Sequence, residues 1–142
     1  MSAQQALLLP LFLHVLFTMG LGLVTANARR KALISGKARL KEIVIDNRAW
    51  PDDVRKLGNN FDNQFQMPML WYAALGLTLI LGLAGTVPVV LSWAFLLLRL
   101  VHSAIHVGRN ILIQRFAAFL MSAMILCAYW LWLAIRVFTV NA

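Results

Sequence analysis

Apolar positions along the chain gather into four long runs, separated by polar stretches of very unequal length. The first run, residues 6–26, is about 20 residues long, enough for a helix to cross the hydrocarbon core of a bilayer. Pro10 falls in its first turns, where proline is tolerated. The preceding Met1–Gln5 has no Lys or Arg, so the charged start of a signal peptide is missing and a retained transmembrane helix is expected. His14 lies inside this run. It reads first as a helix–helix packing histidine, with a ligand or proton role as the other reading.

Residues 28–62 then form a polar segment. Ser35-Gly36 marks a break. Trp50 suits a membrane-interface anchor. Pro51-Asp52-Asp53 opens a helix, with Pro near the first position and acids where the helix dipole favours them. That helix is expected to continue into the second span, residues 63–85. There Pro68 should kink the helix or free a backbone carbonyl for another partner. A turn at Gly85–Pro88 leads to a third span, residues 88–108. Gly108-Arg109-Asn110 begins a short connection to the fourth span, residues 115–137, where Trp130, Trp132 and Arg136 anchor the far end. The pattern predicts an all-α integral membrane four-helix bundle, residues 1–142 forming one membrane domain. Short connections make helices two, three and four antiparallel neighbours.

Composition agrees. Hydrophobic residues make up 61% of the chain, against roughly 45–50% in ordinary soluble domains. The net charge of +8 is read as an orientation signal rather than a nucleic-acid surface. All five acids and nine of the thirteen basic residues lie between Arg29 and Asp62. Both basic connections, 28–62 and 109–115, fall on one side of a four-span topology. By the positive-inside rule that side is the cytoplasm, with both termini opposite, as expected for an inner or plasma membrane protein in contact with lipid. Cys127 stands alone, so no intrachain disulfide forms.

The chemistry sits in Arg99, His102 and His106. Their spacing of i, i+3, i+7 puts all three on one helix face, and ionisable groups in a span should face protein, water or a ligand. Asn63 and Gln66 lie one turn apart on helix two, and Arg115 opens helix four at the same boundary. A pocket built from these groups is cationic and suits an anionic, carboxylate or thiol-bearing ligand. The competing reading is a polar network that locks the helices together. His102 and His106 at i, i+4 could chelate, but no Cys, Asp or Glu nearby completes a shell, so no metal site is expected. No acid accompanies the His pair for a Ser-His-Asp arrangement. No Gly-rich phosphate loop occurs, and no internal repeat suggests a transporter.

Two motifs in order carry a resemblance. Asn63-Gln64-Phe65-Gln66-Met67-Pro68 is similar to an Asn-x-x-Glu motif followed closely by Pro. Arg99-x-x-His102-x-x-x-His106, followed by Arg115, is similar to an Arg-x-x-(His or Tyr)-x-x-x-Tyr motif with a later Arg. On these the chain resembles the membrane-associated proteins in eicosanoid and glutathione metabolism, the MAPEG family, as a bacterial-type member. The resemblance covers most of the chain. It implies a homotrimer of four-helix protomers holding glutathione between neighbouring subunits near the cytoplasmic face. It further implies that Arg115 stabilises the glutathione thiolate, and that Asn63, Gln66, Arg99, His102 and His106 line the peptide's site. A nearby guanidinium lowers a thiol pKa, and the thiolate is the nucleophile.

The chain also departs from the family pattern. Gln66 stands where Glu is usual, His106 where Tyr is common, and Asn59 where glutathione-binding members usually have Arg. Phe116 and Phe119 replace polar groups after Arg115. Two functions follow. One is a glutathione-dependent transferase or peroxidase acting on a lipophilic substrate. The other, which the departures motivate, is a non-catalytic membrane protein that binds lipid or amphiphile, or serves as an accessory subunit of a membrane complex. The position of the Arg115 guanidinium separates them. Pairing with a carboxylate such as Asp62 would cancel the charge that a thiolate needs, whereas an open cleft favours the enzyme.

Overall fold

The computed structural model describes residues 1–139, which contain helices and turns and no strand. Helix α1 (Ala3–Ile34) is capped by Ser2, whose side chain accepts from the Gln5 backbone N–H while the Gln5 side chain accepts from the Ser2 N–H. This reciprocal pairing satisfies two otherwise orphaned donors. The helix runs eight residues past Ala26. Ala28 to Leu33 are mostly strong helix formers, and their basic side chains complement the negative end of the helix dipole. The polar segment therefore begins as helix rather than loop.

Ser35-Gly36 ends α1 as expected. Gly36 takes φ 69°, a conformation glycine adopts without steric cost. The Gly36 N–H then bonds the Leu33 carbonyl at 3.1 Å, and the Lys37 N–H bonds the Ala32 carbonyl at 3.0 Å. These are the paired bonds of a Schellman ending. A single turn, α2 (Leu40–Ile43), and a short 3-10 turn (Asn47–Ala49) lead to α3 (Asp52–Asp62), which starts directly after Pro51. Trp50 and Val54 pack on Ala32 and Ala38, folding the segment back onto the base of α1. The Arg29 guanidinium lies over the Trp50 ring, 5.4 Å from its centroid.

The second apolar run differs most from expectation. Instead of one helix over 63–85, α3 ends at Asp62, a 3-10 turn covers Asn63–Phe65, and α4 runs Met67–Ile80. Pro68 lies at the first turn of α4 rather than inside a longer helix. With no N–H to donate, it cannot carry the hydrogen-bond ladder across this joint. At about 1.5 Å per residue α4 is only about 21 Å long. Among the described residues, three helices are long and apolar enough to cross a membrane: α1, α5 (Thr86–Val107) and α6 (Leu112–Thr139). Most of the apolar stretch of each remains uncovered by the rest of the chain. The chain is thus a multi-pass integral membrane protein.

One core draws on four helices: Leu7 from α1, Trp71, Ala74 and Leu75 from α4, Phe95 from α5, and Leu126, Tyr129 and Leu133 from α6. Polar pairs thread through it. Trp71 Nε1 donates to Ser92 Oγ at 3.2 Å, and Thr78 Oγ1 and Tyr129 Oη share a bond of 3.0 Å. His14, fully buried, shares a 2.6 Å hydrogen bond with Tyr72 Oη and meets the Trp71 and Tyr72 rings edge-on. This matches its reading as a packing residue that ties α1 to α4. Tyr72→Phe is expected to destabilise the fold by about 1–2 kcal/mol, because it leaves a buried ring nitrogen without its partner. In a double-mutant cycle with His14→Phe, unfolding in detergent should show the two losses to be less than additive.

Candidate functional site

At the end of the helices where α5 stops and α6 begins, three helical faces converge. The segment from α3 into the joint presents Asn59, Asp62, Asn63 and Gln66. The last turns of α5 present His102 and His106. The first turns of α6 present Leu112, Arg115, Phe116 and Phe119. Together they line a cavity of about 530 Å³, within the usual range for small-molecule sites. The positions on α6 follow i, i+3, i+4, i+7, so one face of the helix supplies them all.

Five of the six residues expected at the site meet here: Asn63, Gln66, His102, His106 and Arg115. Arg99 does not reach the cleft wall. It is fully buried behind it, and its Nη2 donates to the Asn63 carbonyl at 2.8 Å. That carbonyl is one the broken helix leaves without the acceptor role it would have in a continuous α-helix. It is not the carbonyl that Pro68 by itself leaves without a donor, which is Gln64's, but its neighbour, whose partner in a continuous helix would be the Met67 N–H. Nε and Nη1 of Arg99 have no hydrogen-bond partner among the described residues. Beneath the same joint, Asn60 is held by Ser103, whose hydroxyl donates to Asn60 Oδ1 at 2.8 Å, and Gln64 Nε2 donates to the Asn60 carbonyl at 2.8 Å. Arg99, Ser103 and Asn60 thus fix how α3 rests against α5, and so where Asn63 and Gln66 face.

The histidines form the opposite wall. Their rings stand nearly perpendicular, with centroids 5.7 Å apart, and both residues are buried. His102 Nδ1 lies 3.1 Å from the Arg115 carbonyl. A carbonyl only accepts, so Nδ1 carries the proton, and in the neutral ring Nε2 is the bare nitrogen. His102 Nε2 and His106 Nδ1 have no hydrogen-bond partner among the described residues. No cluster of three or more His, Cys, Asp or Glu occurs among the described residues.

Arg115 is not paired with a carboxylate among the described residues. Its Nη1 donates to the Asn110 side-chain carbonyl at 2.6 Å. Asp62 lines the same cleft but makes no ion pair among the described residues, where the ion pairs are Arg39–Glu42 and Arg55–Asp52. Arg115 thus lines the cleft bonded to a neutral amide rather than to a carboxylate. Asn110 is the residue that sequence reasoning missed. Its signal was weak: one Asn in a short connection, a residue type tolerant of left-handed backbone.

A model of the MAPEG family matches residues 7–135 of the chain. That match contains every helix face that builds the cleft. No curated protein matches the chain. No solved structure matches it either.

Proposed function

The chain belongs to the MAPEG family, and from that membership we propose that it is a glutathione-dependent transferase or peroxidase working on a lipophilic substrate in the membrane. The observation that carries this reading is Arg115. It lines an open cleft, is bonded to a neutral amide, and sits in the first turn of the 28-residue helix α6. A guanidinium and a helix N-terminus both favour a negative charge placed beside them. A thiol held there loses its proton to water and remains as thiolate, the nucleophile that adds to an electrophilic carbon or, at a peroxide oxygen, breaks the O–O bond and releases the alkoxide.

The rest of the cleft suits the peptide. Asn59, Asn63 and Gln66 supply amides, His102 and His106 supply ring nitrogens, and Asp62 supplies a carboxylate for an ammonium group. Leu112, Phe116 and Phe119 make the α6 wall largely apolar, where a lipophilic partner reaching the site from the bilayer would pack. In this reading the protomers form a homotrimer, with the ligand closed in by a neighbouring subunit. The basic segment lies on the cytoplasmic side of the membrane, and glutathione enters from there.

The apolar α6 wall also supports a second reading, a non-catalytic binder of lipid or amphiphile. Calorimetry of glutathione with the detergent-purified protein, read alongside the ultraviolet absorbance of the thiolate, separates the two. Saturable binding with thiolate present at neutral pH is the expected result. No binding up to millimolar glutathione overturns the enzyme reading and favours the second.

A further inference from the structure

Arg115 is gripped twice from the α5 side. Its backbone carbonyl accepts from His102 Nδ1–H at 3.1 Å, and its guanidinium donates to Asn110 Oδ1 at 2.6 Å. Asn110 can do this because of an unusual backbone. It is the non-glycine residue with positive φ, 52°, among the described residues, and its N–H returns to the Ile105 carbonyl at 2.9 Å. That left-handed turn closes α5 and aims the amide at the start of α6. Asparagine tolerates the conformation better than most residues.

We propose that Asn110 is a positioning residue for Arg115, one that fixes the guanidinium against the cleft without neutralising it. The assignment rests on the glutathione reading and deepens it. An arginine side chain left to itself samples many rotamers, and ordering it costs entropy each time a ligand binds. A single neutral acceptor removes much of that freedom. It occupies one of five N–H donors and leaves the net charge intact. A carboxylate at the same place would hold the side chain at least as firmly, but it would cancel the field that stabilises a thiolate. The choice of amide over acid is thus a functional one. It also accounts for an Asn at a turn position where glycine would fit with less strain.

The test uses the full-length protein in detergent with bound glutathione, titrating thiolate absorbance against pH. Three proteins are compared: the unaltered chain, Asn110→Asp and Asn110→Gly. Asp keeps the shape and tolerates the left-handed turn, while Gly keeps the turn and removes the acceptor. In both variants the midpoint of the bound thiol is expected to rise by about one pH unit, with glutathione still bound and the thermal midpoint of Asn110→Asp close to that of the unaltered chain. A purely structural role would lower thermal midpoints and leave the thiol titration where it was. Thiol midpoints in Asn110→Asp equal to that of the unaltered chain overturn the assignment, and Asn110→Asp decides the matter if Asn110→Gly does not fold. The unaltered chain tests the underlying reading separately. If it binds glutathione only as the thiol, or binds none, the thiolate reading fails first and the assignment falls with it.

Discussion

Replacing Arg115 by Ala is expected to lower kcat/KM for glutathione addition to a lipophilic electrophile by about 100-fold. That is the usual effect of deleting one preorganised group facing a developing or resident anion. Affinity for glutathione should fall much less, because the cleft keeps its amides, its histidines and Asp62. The loss should therefore appear mainly in the thiolate fraction and in turnover. Arg115→Lys restores the charge but not the planar fork that reaches Asn110, so it should recover only part of the rate. Steady-state kinetics with saturating glutathione make the comparison, and an Arg115→Ala variant as fast as the unaltered chain would remove Arg115 from the chemistry.

The second large effect is expected at Arg99, which does not touch the cleft. Arg99→Ala removes a buried charged donor from the Asn63 carbonyl and leaves a cavity behind the α3–α4 joint. A loss of about 3 kcal/mol in unfolding free energy follows from the orphaned carbonyl and the lost volume together. Arg99→Met separates the two causes. It refills most of the space without burying a charge that finds no acid among the described residues of α4, α5 and α6, so much of the stability should return. The Asn63 carbonyl stays unpaired in either variant, and the wall carrying Asn63 and Gln66 loses its anchor. Glutathione affinity should thus remain weakened in Arg99→Met even where stability recovers. Calorimetry and denaturant unfolding on the same two variants report both quantities, and normal binding by Arg99→Met would show that Arg99 does not hold the wall.

Much of this was legible in the sequence wherever one residue type dictates local backbone. Ser35-Gly36 stops α1, Pro51-Asp52-Asp53 starts α3, and apolar runs of helical length become α1, α5 and α6. The division of the second run was not legible. Asn63-Gln64-Phe65-Gln66 continues an amphipathic pattern, and Pro68 announces a disturbance without saying whether the helix bends or breaks. The outcome depends on Arg99, 36 residues away in sequence, taking the Asn63 carbonyl. Helical spacing correctly put Arg99, His102 and His106 on one face. It could not say that the long Arg side chain would reach the joint while the two shorter rings face the cleft. The family pattern brought Arg115 forward as the chemical centre. It was silent on Asn110, whose part depends on a turn conformation and on a side-chain bond over five residues.

The short turn between Val107 and Leu112 has a consequence for how the protein assembles. The bonds that hold Arg115 reach back only five and thirteen residues along the chain. Loop closure over such distances is entropically cheap, and contacts of this kind form early in folding. The hairpin of α5 and α6 therefore holds its cation through contacts local in sequence. Asn63 and Gln66 come from a segment that must close a much longer loop to meet it. On sequence separation alone the α5–α6 wall of the cleft is expected to form before the α3 wall docks on it, and pulsed hydrogen exchange showing α3 protected before the start of α6 would overturn that order.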